Sequence, residues 1–202
     1  MHVSSYSAIV RAIQPIIVTV FDALAFGLAE SNEEHARRRL EREDDPWYYL
    51  HSARRSALVH LQRAGGLAAT IEEGDRSLLP LSGILIPYRN VVLRALRPEI
   101  NGAGVHVTPL PGHSEAKKAF YRQEPIPGFE GADNVLLLWA DTDGVLSDPM
   151  TLARPIGGDH TRSSLRLSWD GPLRRSMAVL RAEDLDLLRP EHEYMQLGDE
   201  EG

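Results

Sequence analysis

Ile9, Ile13, Ile16, Ile17, Val20, Leu24 and Leu28 recur at steps of three and four residues. That spacing puts them on one face of a helix, and a helix with such a stripe must bury it against something. The stretch Ile9 to Ala29 is the most apolar part of the chain, so it must first be read as soluble core or as membrane span. A spanning helix needs about 20 mostly apolar residues. Arg11, Gln14, Pro15 and Asp22 interrupt this one. A secretory signal begins with basic residues and has an uncharged core. Met1 to Ser7 holds no Lys or Arg, and Asp22 lies inside the apolar run. The reading is a buried amphipathic helix, a cytoplasmic protein and no membrane partner.

Pro15 suits the first turn of a helix, so a short turn is expected before a helix starting there. Ser31-Asn32-Glu33-Glu34 reads as a capping box, predicting that the helix breaks after Gly27 and restarts. Asp45-Pro46 reads as another start, with an N-cap carboxylate and Pro at the first position. Trp47, Leu50, Ala57, Leu58 and Leu61 are its expected buried face, and Gly65-Gly66 its end.

After Gly66 the pattern changes. Leu67 to Glu72 is expected as a short strand, and Ile84 to Tyr88 and Asn90 to Leu96 as paired strands. Pro80 and Pro87 push these towards an edge. Ser114 to Gln123 reads as a short helix. Asn134 to Ala140 is apolar enough to be a central strand. Asp141-Thr142-Asp143-Gly144 is a hairpin signal, with Met150 to Arg154 returning beside the central strand. Ser164 to Trp169 alternates, which predicts Leu165, Leu167 and Trp169 on one face. Asp184 to Leu188 reads as a closing helical turn. The fold class expected is α+β, a helical N-terminal half against a mostly antiparallel C-terminal sheet. A single domain is expected over 1–197, with a helical part at 4–66 and a strand-rich part at 67–190. An acidic tail, 198–202, follows.

Composition narrows the function classes. The 202 residues are 43% hydrophobic and 25% charged, as in ordinary globular proteins. A net charge of -7 disfavours non-specific nucleic-acid binding. With no cysteine, thiolate metal sites, disulfides and Cys nucleophiles are all excluded. Neither a phosphate-cradling glycine loop nor a G-x-S-x-G elbow occurs.

Some short patterns carry chemistry. Ser114 and Lys117 have the S-x-x-K spacing that sets an amine one helical turn from a hydroxyl. An N-cap serine followed by solvated lysines accounts for it better. Glu115-Ala116-Lys117 spells the E-x-K half of a restriction-type nuclease site, but on an expected helix rather than a strand. Asp141, Asp143 and Asp148 could offer oxygens to a hard cation, although a tight hairpin explains the first two. Of the eight histidines, His106, His113 and His160 could converge, and Asp159-His160 is a loop acid–base pair. No metal site and no cofactor is expected. The dispersed catalytic candidates are His113, Lys117, Asp141, Asp143 and His160.

The segment His113 to Arg122 joins bases and aromatics in an acidic chain. Lys117, Lys118, Tyr121 and Arg122 are therefore the candidate binding residues for a base or a protein surface. The plainer reading is that Phe120 anchors the helix on the sheet while the lysines are solvated.

Leu110-Pro111-Gly112-His113-Ser114, leading to Ala119-Phe120-Tyr121-Arg122-Gln123, and Asn134-Val135-Leu136-Leu137-Leu138-Trp139 resemble a group of uncharacterised proteins of high-GC bacteria and their phages. Some of these sit beside helix-turn-helix regulators. The likeness covers the middle third and implies a mobile-element or toxin–antitoxin-like setting. It transfers no site residue. The function expected is non-catalytic binding or regulation through a protein partner or self-association, with the long N-terminal helices as the dimer surface. A small hydrolase or nuclease is the alternative. A nucleic-acid module is the third reading, with nucleic acid the less favoured partner.

Overall fold

A computed structural model describes residues 4–70, 72–73, 76–77 and 83–194. Helix α1 (Tyr6–Ile13) opens on Ser5, whose hydroxyl accepts from the Ala8 amide. Pro15 lies in a single 3-10 turn, Gln14–Ile16, as the early-proline reading requires. Helix α2 (Ile17–Arg38) follows directly. All seven stripe residues from Ile9 to Leu28 are buried. By length and composition alone the stretch 6–38 could cross a bilayer; half of its apolar window is buried within this fold.

The expected break after Gly27 does not occur. Helix α2 runs through Ser31 to Arg38, where Arg39 ends it in a left-handed conformation. The residues read as a capping box do other work. Ser31 is fully buried and its hydroxyl donates to the Tyr49 carbonyl at 2.7 Å. A Cβ at Gly27 would fall 2.2 Å from the Ala53 carbonyl oxygen. Gly27 thus lets α2 and its neighbour α3 (Pro46–Arg63) approach closely, as small residues do at helix crossings. Asp45 caps α3 through the Tyr48 amide. Trp47 is corrected: it is 53% exposed and stacks on His51, while Tyr49 and Ala53 join Ala57, Leu58 and Leu61 on the buried face.

Of the strand expected at Leu67 to Glu72, the described residues show one bridge, Thr70 to Leu85, and Glu72, which opens the pair named next. A two-residue pair, β1 (Glu72–Glu73) and β2 (Arg76–Ser77), comes next. Pro80 and the tail 198–202 lie outside the described residues. The remaining strands are β3 (Ile84–Tyr88), β4 (Val91–Leu96), the hairpin β5 (Glu99–Ile100) and β6 (His106–Val107), then β7 (Asp133–Leu138) after helix α4 (Glu115–Tyr121). A second hairpin, β8 (Asp141–Thr142) and β9 (Val145–Leu146), leads to β10 (Met150–Gly157) and β11 (Arg166–Leu173). Helix α5 (Ala182–Asp186) and β12 (His192–Glu193) are the last elements among the described residues. One six-stranded sheet has the order β12-β11-β10-β7-β4-β3. Its pairs are antiparallel except β4 with β7. This is the expected α+β fold. A parallel pair needs a crossover, and residues 97–132 supply it, carrying β5, β6 and α4.

Strand alternation gives the sheet two faces. Val91, Leu93, Ala95, Val135, Leu137 and Trp139 join the helices in the main core. Leu85, Val92, Leu136, Leu138 and Ala153 form a smaller core on the other face, under Phe120 and Tyr121 of α4. Pro87 is on β3, an edge strand, as expected. The same-face reading of Leu165, Leu167 and Trp169 fails. Arg154 pairs with Trp169 but Pro155 pairs with Leu167, so Ser168 is an extra residue in the ladder. A bulge of this kind shifts the phase. Trp169 consequently joins the helical core, whereas Leu165 and Leu167 pack against the smaller one.

Candidate functional site

The residues singled out from sequence fall into separate places. Ser114 caps α4 by accepting from the Lys117 amide, which is the plain capping role. Lys118 pairs with Glu115 at 2.8 Å, and Arg122 with Glu124 at 2.6 Å. Tyr121 is 1% exposed and donates its hydroxyl to the Pro109 carbonyl at 2.7 Å; burial pushes that hydroxyl well up from its usual range. Its ring presents no face to a base. Phe120 is equally buried, so α4 is anchored on the sheet by both rings.

His113 and His160 do come together, with ring centroids 4.8 Å apart. The neighbouring Asp159 carboxylate is occupied: it accepts from the Ser164 hydroxyl at 2.6 Å and from the Thr161 amide at 2.7 Å. These bonds, Ser164 first, hold it down at about 2. Asp141 belongs to another neighbourhood. Its side chain is fully covered and ion-paired with Arg42 at 2.7 Å and with Arg97. Burial works to raise its pKa, but the two guanidiniums prevail and lower it. Two bound arginines neutralise this carboxylate rather than leave it for a cation. Asp143 sits at the turn tip with φ 50, beside Gly144 at φ 77, as the hairpin reading requires. Asp148 precedes Pro149 in a cis peptide and accepts from the Arg175 amide. None of the five catalytic candidates lines the groove described next.

That groove, about 490 Å³, opens on the sheet face opposite α1, α2 and α3. Its floor is Leu138, Ala140, Thr151, Leu165 and Leu167. One wall is the β5–β6 hairpin, through Val105 to Thr108. Arg162 braces that wall, donating to Glu99 at 2.6 Å and to the Thr108 carbonyl. Val105 is 56% exposed; so is Ile100, at 68%, which pairs with His106 and shares its side of the hairpin. The groove therefore has an apolar floor and an apolar lip.

Its other end is polar. Asp170 on β11 accepts from the Tyr194 hydroxyl at 2.9 Å and lies 2.8 Å from His192 Nδ1. Hydrogen bonding to Asp170 and its charge raise the His192 pKa. Burial, then Asp170, pushes the Tyr194 hydroxyl up to about 12. Glu191 completes the cluster. Sequence reasoning missed all four residues. The available signal was His192-x-Tyr194, two residues that strand alternation places on one side, facing a lone carboxylate in an apolar strand.

Comparisons with protein-family models, curated proteins and solved structures find no match for this chain.

Proposed function

We propose that this chain is a non-catalytic binding protein of the cytoplasm that holds a segment of a protein partner in the groove on the open sheet face. The groove itself carries the reading: an apolar floor of Leu138, Leu165 and Leu167 with the exposed Val105 on its wall, and Ile100 exposed on the same hairpin, paired with the wall residue His106. Apolar side chains left in water beside a concavity favour a partner that covers them. The occupant is a polypeptide segment whose apolar side chain fills the floor. A mobile-element or toxin–antitoxin-like setting would suit such a regulator. The dispersed-residue hydrolase finds less support, because Asp141 is bound by two arginines and Asp159 by hydroxyls. The nucleic-acid reading finds less too, since Tyr121 is buried and Lys118 and Arg122 are paired.

A photo-crosslinking residue at position 100 tests it in cells. A discrete adduct is expected, lost in Val105→Glu and missing when the crosslinker stands at Arg55 on the helical side. An adduct of twice the chain mass makes the partner a second copy. Equal labelling from positions 100 and 55 overturns the reading.

One observation favours a second surface. Val18 and Phe26 on α2 and Trp47 and Val59 on α3 are 37–53% exposed. Self-association through these helices is the second reading.

A further inference from the structure

The polar end of the groove is built by backbone pairing. Asp170 pairs with His192 across β11 and β12, and the Glu191 amide donates to the Asp170 carbonyl at 2.8 Å. This approach depends on Gly171. A Cβ there would meet the Pro190 Cα at 3.0 Å and the Glu191 nitrogen at 3.2 Å. One ligand atom each from Asp170, Glu191 and His192 lies within 4.8 Å of the others. The Tyr194 hydroxyl holds Asp170 Oδ2 and so orients the carboxylate with Oδ1 beside His192.

We propose that Asp170, Glu191 and His192 bind a divalent first-row transition-metal ion, with its remaining coordination positions open to the groove. The proposal goes beyond the partner reading, because the ion can bind whether or not a polypeptide occupies the floor. Metal bonds of about 2.0–2.2 Å set ligand atoms no more than roughly 4.4 Å apart. The present ligand atoms lie within 4.8 Å of one another, and Glu191 and His192 are both exposed. One imidazole with two carboxylates suits zinc or manganese; carboxylates alone would suit magnesium or calcium. Tyr194 acts as the outer partner that fixes a ligating carboxylate. The other imidazole–carboxylate pair, His160 and Asp159, is a built-in contrast. Its atoms stand 3.9 Å apart, and among the described residues no third ligand joins them.

Calorimetric titration with Zn²⁺ alone tests the proposal on the full chain. One ion per chain is expected. His192→Ala and Glu191→Gln should each weaken binding at least about tenfold, while His160→Ala leaves it unchanged. Both altered side chains are exposed, so circular dichroism and melting should match the parent chain. Cobalt substitution gives a second readout: visible ligand-field bands that disappear in His192→Ala. No saturable zinc binding, or equal affinity in the parent and His192→Ala, overturns the assignment. Either result leaves the crosslinking outcome at position 100 to stand or fall alone.

Discussion

The Gln123 side chain substitutes for a piece of strand. Its amide nitrogen donates to the carbonyls of Asn134 and Pro155, each at 2.7 Å, and its oxygen accepts from the Asn134 amide at 3.0 Å. β7 pairs with β10 only from Leu136 to Leu138, and Pro155 has no amide to extend the ladder. Gln123, at φ 61 just past α4, fills that gap. Gln123→Ala would leave three backbone groups unsatisfied. The expected loss is about 2–4 kcal/mol, read from urea unfolding, because orphaned buried groups keep their full desolvation penalty. Asp141 makes a second residue-scale case. Its folded pKa is lowered, so the pairing with Arg42 and Arg97 contributes stability above the unfolded carboxylate value and loses it as pH falls through the folded one. Asp141→Asn should cost roughly 3 kcal/mol at pH 7, since it strands two guanidiniums. That deficit should shrink steadily in melts taken from pH 5 towards pH 2. The turn at Asp143-Gly144 was legible because its chemistry is local. The Gln123 bridge was not, because its partners lie 11 and 32 residues away.

At the scale of elements, glycine has two uses that sequence cannot separate. Gly27 reads equally as a helix break or as a place where another helix comes close. Only the partner helix decides, and the Ala53 carbonyl decides for closeness. Gly27→Ala gains helix propensity of about 1 kcal/mol, yet it must push α3 away. A net loss of about 1–2 kcal/mol is expected, because overpacking costs typically 1–3 kcal/mol and backbone atoms yield little. Thermal unfolding measures it; an unchanged or raised midpoint would show that α2 and α3 separate easily. Ser31 was misread for the same reason: its hydroxyl finds the Tyr49 carbonyl across the helix pair, not an amide in its own turn. β7 was legible because a continuous apolar run has one common use, a strand covered on both faces. β11 was legible as a strand but not in phase, since one bulge at Ser168 inverts every later side chain. The polar cluster of Asp170, Glu191 and His192 depends on that same strand. Asp170 lies about twenty residues from Glu191 and His192, so the local trace was confined to His192-x-Tyr194.

The whole molecule presents two different surfaces, and each makes its own demand. One sheet face is sealed by α1, α2 and α3, pinned by the Tyr6 ring against Trp169 at 5.5 Å and by the Tyr6 hydroxyl on the Pro172 carbonyl. The opposite face is covered by α4 over β3, β4 and β7 but is left as a groove over β10 and β11. Partner binding in the groove leaves the helical side to water; self-association through the helices leaves the groove open. Absolute mass in solution separates them. If the helices associate, the chain runs as a dimer, and Phe26→Glu with Trp47→Glu returns it to a monomer at unchanged helix content. If the half-exposed Val18, Phe26, Trp47 and Val59 are all that the helices contribute, the dimer should weaken on dilution, since stable interfaces bury about 1,200–2,000 Å². If the groove holds a second copy, those two substitutions leave the dimer intact and Val105→Glu dissolves it. A chain that stays monomeric at every concentration eliminates both self-association routes, and the proposed polypeptide segment must then come from a different protein.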